Sequence, residues 1–178
     1  DLDTIAGREI IVRRAREGEA ITTLDGRDHT LTGDMRVIAG GEKPSCLAGI
    51  MGGLNSEIKE DTRDLFLECA KFRRDSVRRT ARALGMRTES SARYEKGVDI
   101  RNVEYAMERA LQLIDELDAG DIVDGVIDCN AGLPAPRVIQ TTVDGINALL
   151  GVDIPAGAMA DILNSLCIET VLEGNTLT

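Results

Sequence analysis

Apolar residues alternate or run together along the first part of the chain, with Gly and Asp punctuating the runs. REIIVRRA (8–15), AITTL (20–24), HTLT (29–32) and MRVIAGG (35–41) predict four strands in a β-meander. Asp25-Gly26 between two of these runs predicts a hairpin turn. CLAGIMGG (46–53) predicts a short buried strand ending in paired glycines, and TRDLFLECAKF (62–72) predicts another strand. The period then changes. Val77, Ala81 and Leu84 share one face of a helix that Asp75 or Ser76 can cap and Gly85 can stop. A second helix runs from Asp99 to Gly120, with Val103, Met107, Ala110, Ile114 and Leu117 as its apolar stripe. IVDGVIDC (122–129) predicts a strand, and the Pro/Gly-rich AGLPAP (131–136) a linker. Beyond it come VIQTTV as a strand, DGINALLG as a short helix, a helix from Pro155 to Leu166, and a hairpin-like IETVLEGNTLT.

This order predicts an α+β fold. Strands within 8–41, 46–53, 62–72 and 122–142 pack as sheets, and two helices cover them. The expected domains are 1–132 and a smaller, mostly helical and poorly anchored unit from 137 to 178. With two Tyr, two Phe and no Trp, the core must be built from Val, Ile, Leu, Ala and Met. No apolar run approaches the ~20 residues of a membrane-spanning helix. The chain opens on Asp1 with no signal peptide, which is expected of a piece of a longer protein. Cys46, Cys69, Cys129 and Cys167 form no CxxC pair and are expected as buried free thiols in a reducing cytoplasm. With His29 as the only histidine, a zinc site or a Ser-His-Asp triad is not expected, nor any metal site.

Net charge is −10, which argues against a general nucleic-acid binder. Yet from Lys71 to Arg93 eight basic residues stand against two acidic ones. Arg78, Arg79 and Arg82 lie off the Val77–Ala81–Leu84 stripe, either as a solvated helix face or as a patch that contacts phosphates. GMRTESSARYEKG (85–97) holds five charged side chains and no large aliphatic beyond Met86. It is either a solvated loop or the wall of a site that reads a polar substrate. Glu68 alternates in phase with Phe66, Ala70 and Phe72, so its carboxylate must be paired with a nearby arginine or kept for a ligand. Gly52 and Gly53 form a tight turn or let a ligand approach the backbone closely. Thr88, Ser90 and Ser91 are helix-capping hydroxyls or pocket positions.

GIMGG (49–53), LECAKF (67–72) and RRTARALGMRTESSARYEKGVD (78–99) together resemble the β subunit of bacterial phenylalanine–tRNA synthetases. That family's tRNA-editing domain carries a run of the form LGLRTESSxRFEKGVD, from which Met86 and Tyr94 are conservative departures. The resemblance covers residues 1 to about 130. It implies a β-sandwich flanked by helices, followed by the start of a small winged-helix-like domain. It implies hydrolysis of tyrosine mischarged onto phenylalanine tRNA. Glu68 would read the tyrosine hydroxyl, while Gly52, Gly53, Thr88 and Ser90 would form the pocket. Arg78, Arg79 and Arg82 would guide the tRNA. No side chain is assigned as a catalytic base, and a positioned water is the expected nucleophile. The family's His-Ala-Phe pocket stretch precedes Asp1, and its magnesium-binding acidic cluster follows Thr178. No cofactor is therefore expected within this chain, although the whole synthetase uses ATP and magnesium. The implied partners are tRNA and the α subunit of a cytoplasmic heterotetramer. The rival expectation is a non-catalytic RNA-docking or structural module. Intact Glu68, Gly52 and Thr88 argue against it, since a vestigial pocket need not keep them.

Overall fold

Val37, Ile38 and Ala39 are all buried, as a strand covered on both faces requires. A computed structural model describes residues 1–130, 132–133 and 135–178; Ala131 and Pro134 of the expected AGLPAP linker lie outside the described residues. The chain divides into two compact units, Asp1–Val126 and Ile127–Thr178. The buried run belongs to β4 (Arg36–Gly40) in the first unit. β4 pairs antiparallel with β1 (Ile10–Arg14) on one side and β5 (Lys43–Leu47) on the other. β6 (Met51–Gly52) completes a four-stranded sheet of order β1-β4-β5-β6. β2 (Ala20–Thr22) and β3 (Asp28–Thr30) pair with each other, and a bridge between Thr23 and Gly53 ties this hairpin to the end of β6. The expected meander is thus corrected: β1 skips its sequence neighbour and pairs with β4. The Asp25-Gly26 turn is where it was expected. The Thr23 N–H donates to the Arg27 carbonyl at 2.9 Å, and the Gly26 N–H to the Thr23 carbonyl at 2.8 Å.

CLAGIMGG is a hairpin rather than one strand. Cys46 and Leu47 end β5, Ala48-Gly49-Ile50 turn, and Met51 and Gly52 return opposite Leu47 and Cys46. The expected strand over 62–72 does not form. The run is irregular, with Leu65, Phe66 and Leu67 all exposed, because its backbone meets no neighbouring strand among the described residues. The expected strand over 122–129 fails for the same reason, and Val123 and Val126 are more than four-fifths exposed. The strand alternation in both runs is real, but a strand is stable only against a partner.

α1 (Arg74–Ala83) buries Val77 and Ala81 against β-sheet residues including Val37 and Leu47. Its start differs from expectation. Arg73 occupies the N-cap position without a side-chain cap, and Asp75 and Ser76 fall inside the first turn. Asp75 pairs there with Arg73 at 3.1 Å and Arg79 at 3.7 Å, and its charge suits the helix N-terminus. Gly85 ends the helix in a left-handed conformation. Its N–H donates to the Arg82 carbonyl and that of Met86 to the Ala81 carbonyl, so both free carbonyls are satisfied. α2 (Glu89–Tyr94) lies within the 85–97 stretch, which is therefore not a free loop. α3 (Asn102–Glu116) starts later and ends earlier than expected; Val103, Met107 and Ile114 are half-buried, but Ala110 and Leu117 are exposed.

The second unit follows its expected order closely. β7 (Thr141–Thr142) leads into α4 (Val143–Leu150), and α5 (Ala156–Ser165) precedes a hairpin of β8 (Leu172–Glu173) and β9 (Thr176–Leu177). β9 pairs with both β7 and β8, and Val143, Met159 and Leu177 form a small core. The strand expected over VIQTTV is confined to its last threonines, with Val138 and Ile139 exposed. Cys46 and Cys69 are half-buried, whereas Cys129 and Cys167 are exposed, so burial accounts for only two of the four thiols. Among the described residues, no helix is long and apolar enough to cross a membrane.

Candidate functional site

The β5–β6 hairpin brings Cys46, Gly49, Ile50, Met51 and Gly52 to one side of a cavity of about 250 Å³. Glu68 and Phe72 enter from the irregular segment, and Ser90 and Tyr94 from α2. Three elements far apart in sequence thus meet around one space. Its lining mixes apolar residues with the polar groups of Glu68, Ser90 and Tyr94.

Glu68 is the single charged side chain among these lining residues. Its surroundings remove water from the carboxyl group and push its pKa above the ordinary glutamate value. Among the described residues it makes no salt bridge and no side-chain hydrogen bond, so the arginine pairing that the sequence leaves open is not made. The residue as a whole is exposed, and this accessibility is what a ligand-facing group needs. The apolar strand face inferred around it is not there: Phe72 is buried in the core, but Phe66 is 43% exposed.

Of the other expected site residues, Gly52 and Ser90 line the same cavity and Gly53 and Thr88 do not. Gly53 is engaged in the fold, its N–H donating to the Ser45 carbonyl at 2.7 Å. Thr88 caps α2. Its hydroxyl accepts from the Ser91 N–H at 3.0 Å and donates to the Ile50 carbonyl at 2.8 Å, while the Ser91 hydroxyl accepts from the Thr88 N–H at 2.9 Å. The capping reading of Thr88 and Ser91 is therefore realised. Through Ile50 it also ties the start of α2 to the turn that precedes Gly52. Arg78, Arg79 and Arg82 are exposed on α1 and are not among the cavity-lining residues.

Cys46 and Tyr94 also line the cavity, although the sequence pattern does not single them out as site residues. Both carry a signal in the sequence all the same: Cys46 opens the CLAGIMGG run, and Tyr94 sits inside the RTESSARYEKG motif. Burial, with help from the nearby Glu68 charge, pushes the Cys46 thiol up to about 12. It is therefore a neutral thiol at neutral pH and a poor nucleophile. Burial also raises the Tyr94 phenol, with smaller contributions from Glu68, Cys69 and Cys46. Its hydroxyl donates to the Ala70 carbonyl at 2.8 Å, and its ring meets Phe72 edge-on with centroids 5.1 Å apart.

A second cleft, about 630 Å³, lies between residues such as Arg16, Glu42 and Leu54. One lining carboxylate is already paired: Glu19 forms a two-point ion pair with Arg13 at 2.6 and 2.8 Å, which holds the Glu19 pKa down. The smaller cavity has an unpaired carboxyl and is the better candidate. Among the described residues, no three His, Cys, Asp or Glu side chains are grouped so as to hold a metal ion.

Residues 1–119 match the B3/4 domain family. The chain is 46% identical over 166 residues to the phenylalanine–tRNA ligase beta subunit of Carboxydothermus hydrogenoformans, covering 93% of this chain and 21% of that protein. It is 40% identical over 173 residues to the subunit of the same name from Clostridium tetani, covering 97% and 22%. It is 44% identical over 171 residues to that of Geobacter sulfurreducens, covering 96% and 21%. The chain spans about a fifth of the length of these curated relatives.

Proposed function

The chain belongs to the B3/4 domain family, and from that premise we propose that it is the part of a phenylalanine–tRNA synthetase beta subunit that hydrolyses tyrosine mischarged onto phenylalanine tRNA. The observation that carries this reading is the unpaired Glu68 carboxyl on a cavity it shares with Gly52 and Ser90. An apolar activation pocket rejects an added hydroxyl by only about a hundredfold. A second site must therefore accept tyrosine and refuse phenylalanine. A carboxylate on the cavity does this, because the phenol donates a hydrogen bond to it, whereas phenylalanine offers it no donor and leaves it unpaired. Discrimination of this kind reaches roughly 10⁴ to 10⁵.

The ester carbonyl would lie toward the open side of the cavity, where a water attacks it. Cys46 is held neutral and Glu68 is committed to the ring end of the substrate, so a positioned water is preferred over a covalent intermediate. ATP use, magnesium binding and the α-subunit contact would belong to other parts of a cytoplasmic synthetase. The direct test is titration of the folded chain with tyrosine and with phenylalanine, followed by NMR. Signals around Glu68, Gly52 and Ser90 should move with tyrosine alone; equal responses to both amino acids would discard the reading.

Gly52 offers a second check. A Cβ there would stand 3.1 Å from the tip of the Leu24 side chain, which is 46% exposed and free to swing outward. Because Gly52 lines the cavity, Gly52→Trp should crowd its wall and weaken tyrosine binding with little loss of thermal stability. Wild-type tyrosine binding by that variant would reduce Gly52 to a hairpin residue.

We further propose that Arg78, Arg79 and Arg82 guide the tRNA. All three are exposed on one helix, and none of the salt bridges among the described residues uses Arg78 or Arg82. Changing all three to Gln should weaken RNA binding and flatten its dependence on salt, by roughly one unit of log–log slope for each phosphate no longer neutralised. An unchanged slope would leave them as a solvated face.

A further inference from the structure

The segment that presents Glu68 has no ladder of its own. Among the described residues, none of residues 65–72 takes part in a backbone–backbone hydrogen bond. Besides the burial of Phe72 in the core, three specific contacts hold the stretch. The Tyr94 hydroxyl donates to the Ala70 carbonyl at 2.8 Å. The Tyr94 ring packs edge-on against buried Phe72. The Cys69 thiol donates to the Val103 carbonyl at 3.2 Å. Tyr94 supplies two of the three, and Ala70 is only two residues from Glu68.

We propose that Tyr94 is a positioning residue: by donating to the Ala70 carbonyl, its phenol fixes the otherwise unladdered Glu68 segment against α2 and holds the carboxyl on the cavity. The inference rests on the reading that Glu68 selects tyrosine. Each residue between anchor and carboxylate adds two soft backbone torsions, so an anchor two residues away is close enough to set where Glu68 stands. A phenol whose ionisation is pushed up by burial and by the Glu68 charge stays protonated, and therefore a donor, throughout the neutral range. Because its proton is committed to Ala70, Tyr94 acts on the substrate through Glu68 and not by its own hydroxyl.

The test uses Tyr94→Phe in the full chain, which keeps the ring against Phe72 and removes only the donor. Two readouts are followed: the carboxyl ¹³C titration of Glu68, and the preference for tyrosine over phenylalanine in binding. In Tyr94→Phe the Glu68 titration should move back toward the ordinary glutamate range. The tyrosine preference should fall on the order of tenfold to a hundredfold, as misplacement of a positioned group commonly costs. An unchanged Glu68 titration overturns the proposal, whether or not the preference changes; loss of preference alone would mean that the phenol touches the ligand itself. A moved titration with the preference intact supports the positioning role and removes the selective role of Glu68. Glu68→Ala separates the two ideas from the other side, since a variant without the acceptor that still prefers tyrosine defeats the functional reading without touching Tyr94. Should Tyr94→Phe fail to fold, a ring-fluorinated tyrosine at position 94 gives the same comparison on one folded sample. Raising the pH ionises it and switches the donor off, and a Glu68 carbon signal that ignores this step overturns the proposal.

Discussion

Replacing Glu68 by alanine is expected to slow hydrolysis of tyrosyl-tRNA by about tenfold to a hundredfold, the equivalent of losing one hydrogen bond to a charged group. Phenylalanine charging by an intact synthetase carrying the change should stay near the wild-type rate, because the cavity would serve only the second, hydrolytic step. The side chain has no partner among the described residues, so its removal breaks no ion pair and leaves no buried group orphaned. The fold should therefore survive, and a melting curve checks that it does. Glu68→Gln keeps an acceptor for the phenol and should fall between the two. The measurement is deacylation of tyrosine-charged and phenylalanine-charged tRNA by each variant. A Glu68→Ala enzyme that clears tyrosyl-tRNA normally but charges phenylalanine poorly would place the carboxylate in the wrong reaction.

The chemistry of this site is more legible in the sequence than its geometry. Glu68 stands out in the sequence because a carboxylate in an apolar run needs an explanation, and the structure, which shows no partner for it among the described residues, keeps that explanation open to a ligand. Its surroundings are another matter. The alternation in DLFLECAKF reads as a strand, but a strand needs a neighbour to donate and accept its hydrogen bonds, and alternation cannot say whether one exists. The same limit explains the missing strand over 122–129. Pairing of β1 with β4 across more than twenty intervening residues is likewise invisible to local pattern, whereas the β2–β3 hairpin is visible because its turn chemistry is local. Helices are easier to read since their hydrogen bonds close within four residues. Thr88 illustrates a different ambiguity. A threonine three residues before a serine fits both a capping box and a polar pocket wall, and only the distances to Ser91 and Ile50 separate the two.

Gly49→Ala should destabilise the first unit by about 2–5 kcal/mol, the sum of left-handed backbone strain and overpacking. Gly49 turns the β5–β6 hairpin at φ +73, and a Cβ there would stand 2.8 Å from the Phe72 ring and 3.1 Å from Val77. Neither neighbour can yield easily. Phe72 and Val77 are 8% and 2% exposed, and Phe72 also packs against the Tyr94 ring. Gly85→Ala is the matched control. Its φ of +64 is similar, but nothing lies within 4 Å of the added Cβ, so it should cost only the strain, about 1–2 kcal/mol. The two variants differ in the collision alone, and paired thermal or urea unfolding measures it. Because the displaced Phe72 lines the cavity beside Glu68, Gly49→Ala should also weaken tyrosine binding at temperatures where the chain is still folded, while Gly85→Ala should not. Equal losses of stability in the two variants would mean that Phe72 moves aside freely, and a cavity wall that moves so easily could not hold the carboxylate and the aromatic ring in the fixed relation that selection for one hydroxyl demands.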